Sequence, residues 1–122
     1  MNSKMFFSKN HVWVKIEDDS AYLGITNFAQ EKMKSVMFLN LEDVGTEISQ
    51  GGKFGDIESI KTVADLISPI SGMIEEINEE LVDDPDPINE DAERCWLVKL
   101  KVVGTLTDLM DEKTYLECRE NL

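Results

Sequence analysis

The chain has 122 residues and a mass of 13.9 kDa, the length of one domain, so we expect residues 1–122 to share a single hydrophobic core. Its 25 Asp and Glu residues against 12 Lys and Arg give a formal net charge of −13, which argues against nucleic acid as a partner. No apolar run approaches the roughly 18 residues of a membrane-spanning helix, and the N-terminal residues do not match a secretory signal. We therefore expect a cytoplasmic protein with no membrane partner.

Residues that commonly bind metals or act as nucleophiles are few and far apart. The two cysteines, Cys95 and Cys118, lack CxxC spacing, and His11 is the single histidine. This pattern predicts no metal site and no catalytic residues. It also favours two separate thiols over a disulfide and leaves His11 as a structural or surface residue.

The N-terminal third of the chain predicts short strands and one short helix. Residues 12–16 alternate between apolar and polar side chains, and residues 21–25 follow after a polar turn, so we expect a β-hairpin. Thr26 or Asn27 is suited to cap a helix, which we expect over residues 28–35.

The middle of the chain predicts strands separated by turns. Residues 36–41 form one predicted strand, and residues 54–67 form two strands joined near Ser59–Thr62. Residues 68–72 form a turn, and a further strand follows over residues 73–77. Short strands with glycine-containing turns favour an all-β unit over βαβ units.

An acidic segment follows at residues 78–94. Because it contains prolines, we expect a surface loop with at most one helical turn, at residues 78–81. A calcium-binding loop is the alternative for so many carboxylates. The prolines interrupt the run and the EF-hand glycine and terminal glutamate are missing, so a solvated loop is favoured.

The C-terminal part predicts one more strand and a helix. Residues 95–102 alternate again. The apolar face of this strand contains Trp96, Val98, Leu100 and Val102. We expect Trp96 and Trp13 to be core anchors. Thr107 is a candidate cap for a C-terminal helix within residues 107–122. The apolar positions of that helix are Leu109, Met110 and Leu116.

Lys61 lies at or beside the tip of the hairpin predicted over residues 54–67. Lysines are common at turns, because the charged end stays in water while the stem covers apolar surface, so this position alone is weak evidence. A lysine that carries a covalent group, however, must be exposed to its modifying enzyme and must project from a rigid scaffold. A tight turn between two strands provides both conditions.

The sequence around this lysine, from Gly52 to Thr62, reads G-K-F-G-D-I-E-S-I-K-T. It resembles G-x-x-F-G-x-V-E-S-V-K-A, the lipoylation motif of the glycine cleavage system H proteins. Further stretches are similar to motifs of the same family: His11–Val14 (H-E-W-V), Gly24–Gln30 (G-I-T-D-x-A-Q), Ser68–Gly72 (P-x-S-G), Ile88–Asn89 (L-I-N) and Trp96–Lys99 (G-W-L-x-K-I). The matches follow the family order along nearly the whole chain, which a chance lysine motif would not produce.

The resemblance implies a mostly β fold of the lipoyl/biotinyl type, a flattened barrel of two antiparallel sheets (a barrel-sandwich hybrid) with short helices, including one at the C-terminus. It implies that a lipoate ligase or lipoyltransferase attaches lipoic acid to Lys61 as lipoamide. In that family the arm carries the aminomethyl group of glycine from glycine decarboxylase to the aminomethyltransferase, and lipoamide dehydrogenase then reoxidises it. The chain would be a non-catalytic carrier, expected as a monomer, whose acidic surface docks against basic rims of these enzymes.

The resemblance also assigns roles to residues around Lys61. Glu58 would be recognised by the lipoylating enzyme. Asp65, four residues after Lys61, would pair with the protonated amine of the loaded arm, which the family holds in a surface cleft. Further recognition or arm contacts are expected from Ser59, Ile60 and Thr62.

Several positions depart from the family pattern, and the usual D-P-Y-G-x-G-W run has become Asp91–Trp96, without either glycine. Where the family has a serine, a glutamate and, in many members, a histidine, this chain has Asn10, Val12 and Phe28. The family residues help to hold the loaded arm, so the departures leave open a second hypothesis: an H-like lipoylated protein that serves lipoyl relay or a redox-linked modification system. A biotin carrier is disfavoured, because such proteins have methionines where Ile60 and Thr62 flank the lysine. An unmodified binding domain is the remaining alternative.

Overall fold

The structure is a computed structural model that describes residues 4–122. Its strands are β1 (Lys4–Phe7), β2 (Val12–Glu17), β3 (Ser20–Ile25), β4 (Val36–Leu41), β5 (Glu47–Ile48), β6 (Lys53–Ser59), β7 (Val63–Ile67), β8 (Gly72–Ile77) and β9 (Val98–Val102). Its helices are α1 (Asn27–Met33), α2 (Glu79–Asp83), α3 (Asp86–Glu90) and α4 (Glu112–Cys118), with 3-10 turns at Ala92–Arg94 and Arg119–Asn121. Within residues 4–122, no helix has the length and apolar character needed to cross a membrane.

The strands form two antiparallel sheets, which confirms the predicted fold class. The larger sheet has the order β1-β2-β3-β9-β8-β5, and the smaller sheet has the order β4-β6-β7. Both contribute to one core of buried apolar side chains, which includes Val14 and Leu100 of the larger sheet and Leu39 and Ile57 of the smaller. Burial of each such side chain stabilises the fold by about 1.5–3 kcal/mol, so the core holds the two sheets together.

The predicted hairpin is confirmed as β2 and β3, which pair along their full lengths. The connection passes through Asp18 at a φ of 54°, a left-handed conformation that Asp tolerates. Of the two candidate caps for the following helix, Thr26 is the one used, because its hydroxyl oxygen accepts a hydrogen bond from the Ala29 N–H at 3.1 Å. Helix α1 ends two residues earlier than predicted, since Lys34 has a φ of 68° and leaves the helical conformation.

The smaller sheet has one apolar and one mixed face, because successive side chains of a strand point to opposite sides. The core-facing row across its three strands contains Leu39, Ile57 and Ala64. The neighbouring row on the outer face contains Phe38, Glu58 and Val63. The two strands predicted to meet near residues 59–62 are confirmed as β6 and β7, and Lys61 lies in the turn between them.

The surface loop predicted for residues 78–94 is wrong: the segment contains α2, α3 and a 3-10 turn. Leu81 and Ile88 from these helices are buried in the main core. The single helical turn expected at residues 78–81 corresponds to the beginning of α2. The prolines permit a helix here, because they lie at the N-terminus of α3, where the missing N–H breaks no helical hydrogen bond.

The strand predicted over residues 95–102 begins later, at Val98, and Trp96 is not a core anchor. Leu97 is buried in its place. The Trp96 ring is only partly buried and packs edge-on against the Tyr22 ring, with 5.3 Å between the ring centroids. An indole N–H that stays near water needs no buried partner.

The predicted C-terminal helix is confirmed as α4, but it begins later than the candidate cap Thr107. Its cap is Asp111, whose carboxylate accepts a hydrogen bond from the Thr114 N–H at 2.8 Å. The residue that α4 buries is Tyr115, whereas Leu116 is half exposed. The helix therefore packs through an aromatic side chain that apolar spacing alone did not single out.

Tyr115 belongs to a second, smaller cluster with Phe7 and Trp13. The Phe7 and Tyr115 rings are stacked with 4.8 Å between their centroids. Trp13 is buried as predicted, and its indole N–H donates to the Ala92 carbonyl oxygen at 3.2 Å. This cluster attaches α4 to β1 and β2.

The close approach of β4 and β6 at Gly55 can be tested by substitution. A Cβ at this position would collide with the carbonyl oxygen of Asn40, so the strands would have to separate. We expect Gly55→Ala to lower the free energy of unfolding by about 2–3 kcal/mol, measured by urea denaturation. Gly104→Ala is the control: its site is open but has a φ of 81°, so we expect a cost of about 1 kcal/mol. Equal costs would show that β4 does not constrain Gly55.

Candidate functional site

Hydrogen bonds of Ser59 organise the turn that presents Lys61. The Ser59 N–H donates to the Thr62 carbonyl oxygen at 2.8 Å and closes the turn. The Ser59 hydroxyl oxygen accepts from the N–H groups of Lys61 and Thr62 at 3.2 and 3.0 Å. The Ile60 N–H donates to the Ser35 carbonyl oxygen at 2.9 Å, which ties the turn to the segment before β4. The backbone is thus held in place although Ile60, Lys61 and Thr62 are all exposed.

The ammonium group of Lys61 has no hydrogen-bond or ion-pair partner among residues 4–122. Lys53, at the other end of β6, does form ion pairs. Its Nζ lies 3.2 Å from an Asp65 carboxylate oxygen and 3.5 Å from an Asp56 oxygen. The hydrogen bond to Asp65, followed by the charge of Asp65 and the contact with Asp56, raises the pKa of Lys53. Of these two lysines, Lys61 is therefore the one whose ammonium group forms no ion pair with the described residues.

Glu58 lies on the outer face of β6 with its carboxylate held by Asn40. The Asn40 Nδ2 donates to a Glu58 oxygen at 3.0 Å and to an Asp56 oxygen at 2.8 Å. No Lys, Arg or His side chain of residues 4–122 forms an ion pair with Glu58. Its orientation is fixed while its charge remains available to a partner.

A groove of about 220 Å³ lies between α1, the beginning of β2 and strand β7. Its lining is mostly apolar and includes Val12, Phe28, Ala29, Met33, Ala64 and Leu66. The predicted residue Asp65 also lines it, and so does Asn10. The structure therefore brings Asp65 together with Asn10, Val12 and Phe28, three of the positions that depart from the family pattern, whereas Glu58 lies outside the groove.

His11 also lines the groove and links it to the C-terminal helix. Its Nδ1 lies 2.7 Å from the Tyr115 hydroxyl, which lies 2.8 Å from the hydroxyl oxygen of Thr26, the cap of α1. Burial lowers the pKa of His11, which favours the neutral form of the ring in this contact. Desolvation also raises the pKa of Tyr115, which keeps its hydroxyl protonated.

Two cations lie over the Phe28 ring at the rim of the groove. The Lys32 Nζ is 5.2 Å and the Arg119 guanidinium carbon is 5.0 Å from the ring centroid. Among the described lining residues, Asp65 supplies the single carboxylate. Such a groove suits an extended apolar chain whose polar end lies near Asp65.

Comparisons with known proteins agree with this geometry. The family model for the glycine cleavage H-protein matches residues 5–121. The chain belongs to the glycine cleavage H-protein family. It is 45% identical to the glycine cleavage system H protein of Thermotoga maritima over 114 residues, which cover 91% of this chain and 92% of the relative. It is 42% identical to the glycine cleavage system H protein of Alkaliphilus oremlandii over 115 residues, which cover 93% of this chain and 91% of the relative.

A solved H-protein structure extends the likeness to the fold. The crystal structure of the glycine cleavage system H protein from Mycobacterium marinum matches with a TM-score of 0.89 and 32% identity, and the match covers 100% of both chains. The predicted family and its barrel-sandwich fold are therefore confirmed. The comparisons favour an H protein over the H-like relay or modification protein that Asn10, Val12 and the two missing glycines left open.

Sequence reasoning missed three residues near the site: Asn40, Tyr115 and Arg119. Asn40 meets Glu58 only through the β4–β6 register. Tyr115 contacts His11 and Arg119 contacts Phe28 only because the C-terminal segment packs on the first strand. Of these three residues, only Tyr115 had a feature in the sequence that could have identified it, namely an aromatic side chain within a predicted helix.

The partly buried position of His11 predicts a pH dependence of stability. Because burial holds the pKa of folded His11 below its ordinary value of 6.5, the unfolded chain binds more protons as the pH falls through this range. The free energy of unfolding should therefore decrease between about pH 7.5 and about pH 5.5. His11→Asn is the matched variant, since Asn tolerates the φ of 63° found here. Chemical denaturation should show that the free energy of unfolding falls less with decreasing pH in this variant than in the unaltered protein. Equal decreases in the two proteins would rule out His11 as the cause.

Proposed function

We propose that this chain is the lipoyl-bearing H protein of a glycine cleavage system, with lipoic acid attached as an amide to Lys61. The observation that carries the proposal is an exposed, unpartnered lysine amine in a fixed turn, within the family's lipoylation motif. The residues present fit the group, since this amine is free to form an amide and the nearby groove has room for part of an apolar arm. When attached, the lipoyl group supplies a disulfide that is reduced and reoxidised and a sulfur that carries the aminomethyl group.

The chain's own residues then present and shield this arm. Ser59 fixes the turn, so that Lys61 projects into water from a rigid sheet. The apolar wall of the groove, which includes Val12 and Phe28, excludes water from whatever part of the arm it covers. The Asp65 carboxylate is the group that accepts a hydrogen bond from a protonated amine at the end of the arm.

The protein itself would be a carrier and not a catalyst. Its partners would be glycine decarboxylase, the aminomethyltransferase, lipoamide dehydrogenase and a lipoate ligase or lipoyltransferase. A tethered group meets each of these enzymes without diffusing away, which raises its effective concentration at each site. We expect a cytoplasmic monomer, in which residues 1–122 act as one lipoyl-carrier domain.

Intact-mass spectrometry of protein from lipoate-replete cells tests the attachment. We expect the unaltered protein to gain the mass of one lipoyl amide. Lys61→Arg should remove this gain, because the amide requires the lysine amine. Lys53→Arg, at the opposite end of β6 from the turn, is the matched control and should retain it. A lipoyl gain in Lys61→Arg would place the attachment elsewhere, and no gain in the unaltered protein would leave an unmodified binding domain.

The role of Asp65 can be tested on the lipoylated protein after loading by glycine decarboxylase. Without the aminomethyltransferase, we expect ammonia release to be about two- to five-fold faster for Asp65→Asn, since an exposed ion pair contributes roughly 0.2–1 kcal/mol. Asp56→Asn is the control, because Asp56 also contacts Lys53 but does not line the groove. Equal release rates for both variants would remove Asp65 from the arm site. Failure of the unaltered protein to accept the group would contradict the glycine cleavage assignment.

A further inference from the structure

The outer face of the smaller sheet exposes a group of apolar side chains around the Lys61 turn. Ten large apolar residues are exposed in the described part of the chain, and four of them lie in this sheet or its turn. They are Met37, Phe38, Ile60 and Val63, with exposed fractions of 49%, 57%, 72% and 63%. Single exposed apolar residues are ordinary, but a group at one end of a sheet marks an interaction surface.

The register makes this group contiguous with the turn. Phe38 lies opposite Glu58, and Glu58 lies opposite Val63, in the last row before the turn that spans all three strands. These side chains cannot turn inward, because the opposite face of the sheet is packed in the core. The exposure of Phe38 and Val63 is therefore a fixed property of the fold.

Glu58 lies between Phe38 and Val63 in this row, and no described cation forms an ion pair with its carboxylate. Lys53 forms ion pairs with Asp56 and Asp65 in the next row, but Glu58 is held only through the neutral amide of Asn40. The row thus combines an aromatic side chain, a negative charge and a branched aliphatic side chain. This combination fits a partner with a shallow apolar pocket bordered by an arginine or lysine.

We propose that Phe38, Glu58 and Val63 form the docking surface for the enzyme that acylates Lys61, and that Asn40 is a positioning residue for Glu58. The proposal rests on the proposed function. Of the four residues in this proposal, the resemblance to the family implies a role for Glu58 alone, whereas the structure adds two apolar contacts and the amide that orients the carboxylate.

The position of the surface selects this partner over the others. The acylating enzyme must bring an activated lipoyl carbonyl carbon, as an acyl adenylate or thioester, to the lysine Nζ itself. There the N–C bond forms, the bond to the leaving group breaks with its electron pair on that group, and the amine loses one proton. Enzymes that act on the finished arm work at its far end, beyond the side chain of Lys61. Only the acylating enzyme is obliged to cover the row beside the turn.

Lipoylation of the purified, unmodified protein by a lipoate–protein ligase with lipoate and ATP tests the proposal. We expect Phe38→Ala to raise the KM for the carrier about tenfold with little change in kcat, as for a residue central to an interface. Phe38→Leu should recover most of this loss. Leu116→Ala, at a half-exposed apolar residue on α4, is the matched control and should stay within about twofold of the unaltered protein. Asn40→Ala should raise the KM less than Phe38→Ala, and its effect should shrink in a Glu58→Gln background.

The outcomes separate the two proposals. Equal KM values for Phe38→Ala and Leu116→Ala, with normal modification of the unaltered protein, would overturn the docking surface and leave the carrier function intact. Variants lipoylated to completion should be reduced by lipoamide dehydrogenase at the unaltered rate. If Phe38→Ala slowed reduction by lipoamide dehydrogenase as much as it slowed lipoylation, the assignment of this surface to the acylating enzyme would be overturned. No modification of the unaltered protein would overturn the proposed function and this surface together.

Discussion

The register of the smaller sheet is the constraint on which the rest of the molecule depends. Leu39, Ile57 and Leu66 from its three strands fill the core against the larger sheet, and each contributes about 1.5–3 kcal/mol. A slip of β6 by one residue would exchange Ile57 for Glu58 and place a carboxylate in the core, at a cost of several kcal/mol. Only one register satisfies the core, and in that register Lys61 lies in the turn.

Strand β7 connects the two surfaces that the carrier function needs. Val63 belongs to the outer row beside the turn, while Asp65 reaches both Lys53 and the groove. On the far side of the groove, the hydrogen bonds among His11, Tyr115 and Thr26 hold α1 in place. In the proposed carrier function, one small acidic chain would thus expose a lysine, shield an arm and offer an enzyme a docking face.

Features encoded by neighbouring residues could be predicted from the sequence. Period-two alternation predicted the β2–β3 hairpin, and turn residues near 59–62 predicted the position of Lys61. Residues 78–94 could not be predicted as helices, because Leu81 and Ile88 are buried by packing near β4, which no local pattern expresses. The groove and the contact between Asn40 and Glu58 depend in the same way on strands that are distant in sequence.

In the proposed function, the turn presents one lysine position to the acylating enzyme. Exchanging Lys61 and Thr62, as the double variant Lys61→Thr with Thr62→Lys, keeps the composition and charge of the turn but moves the amine by one residue. The lipoyl mass gain should disappear in this variant, while its circular dichroism spectrum and unfolding midpoint stay close to those of the unaltered protein. Lipoylation of residue 62 at the unaltered rate would contradict the account, because any exposed lysine in the turn would then serve.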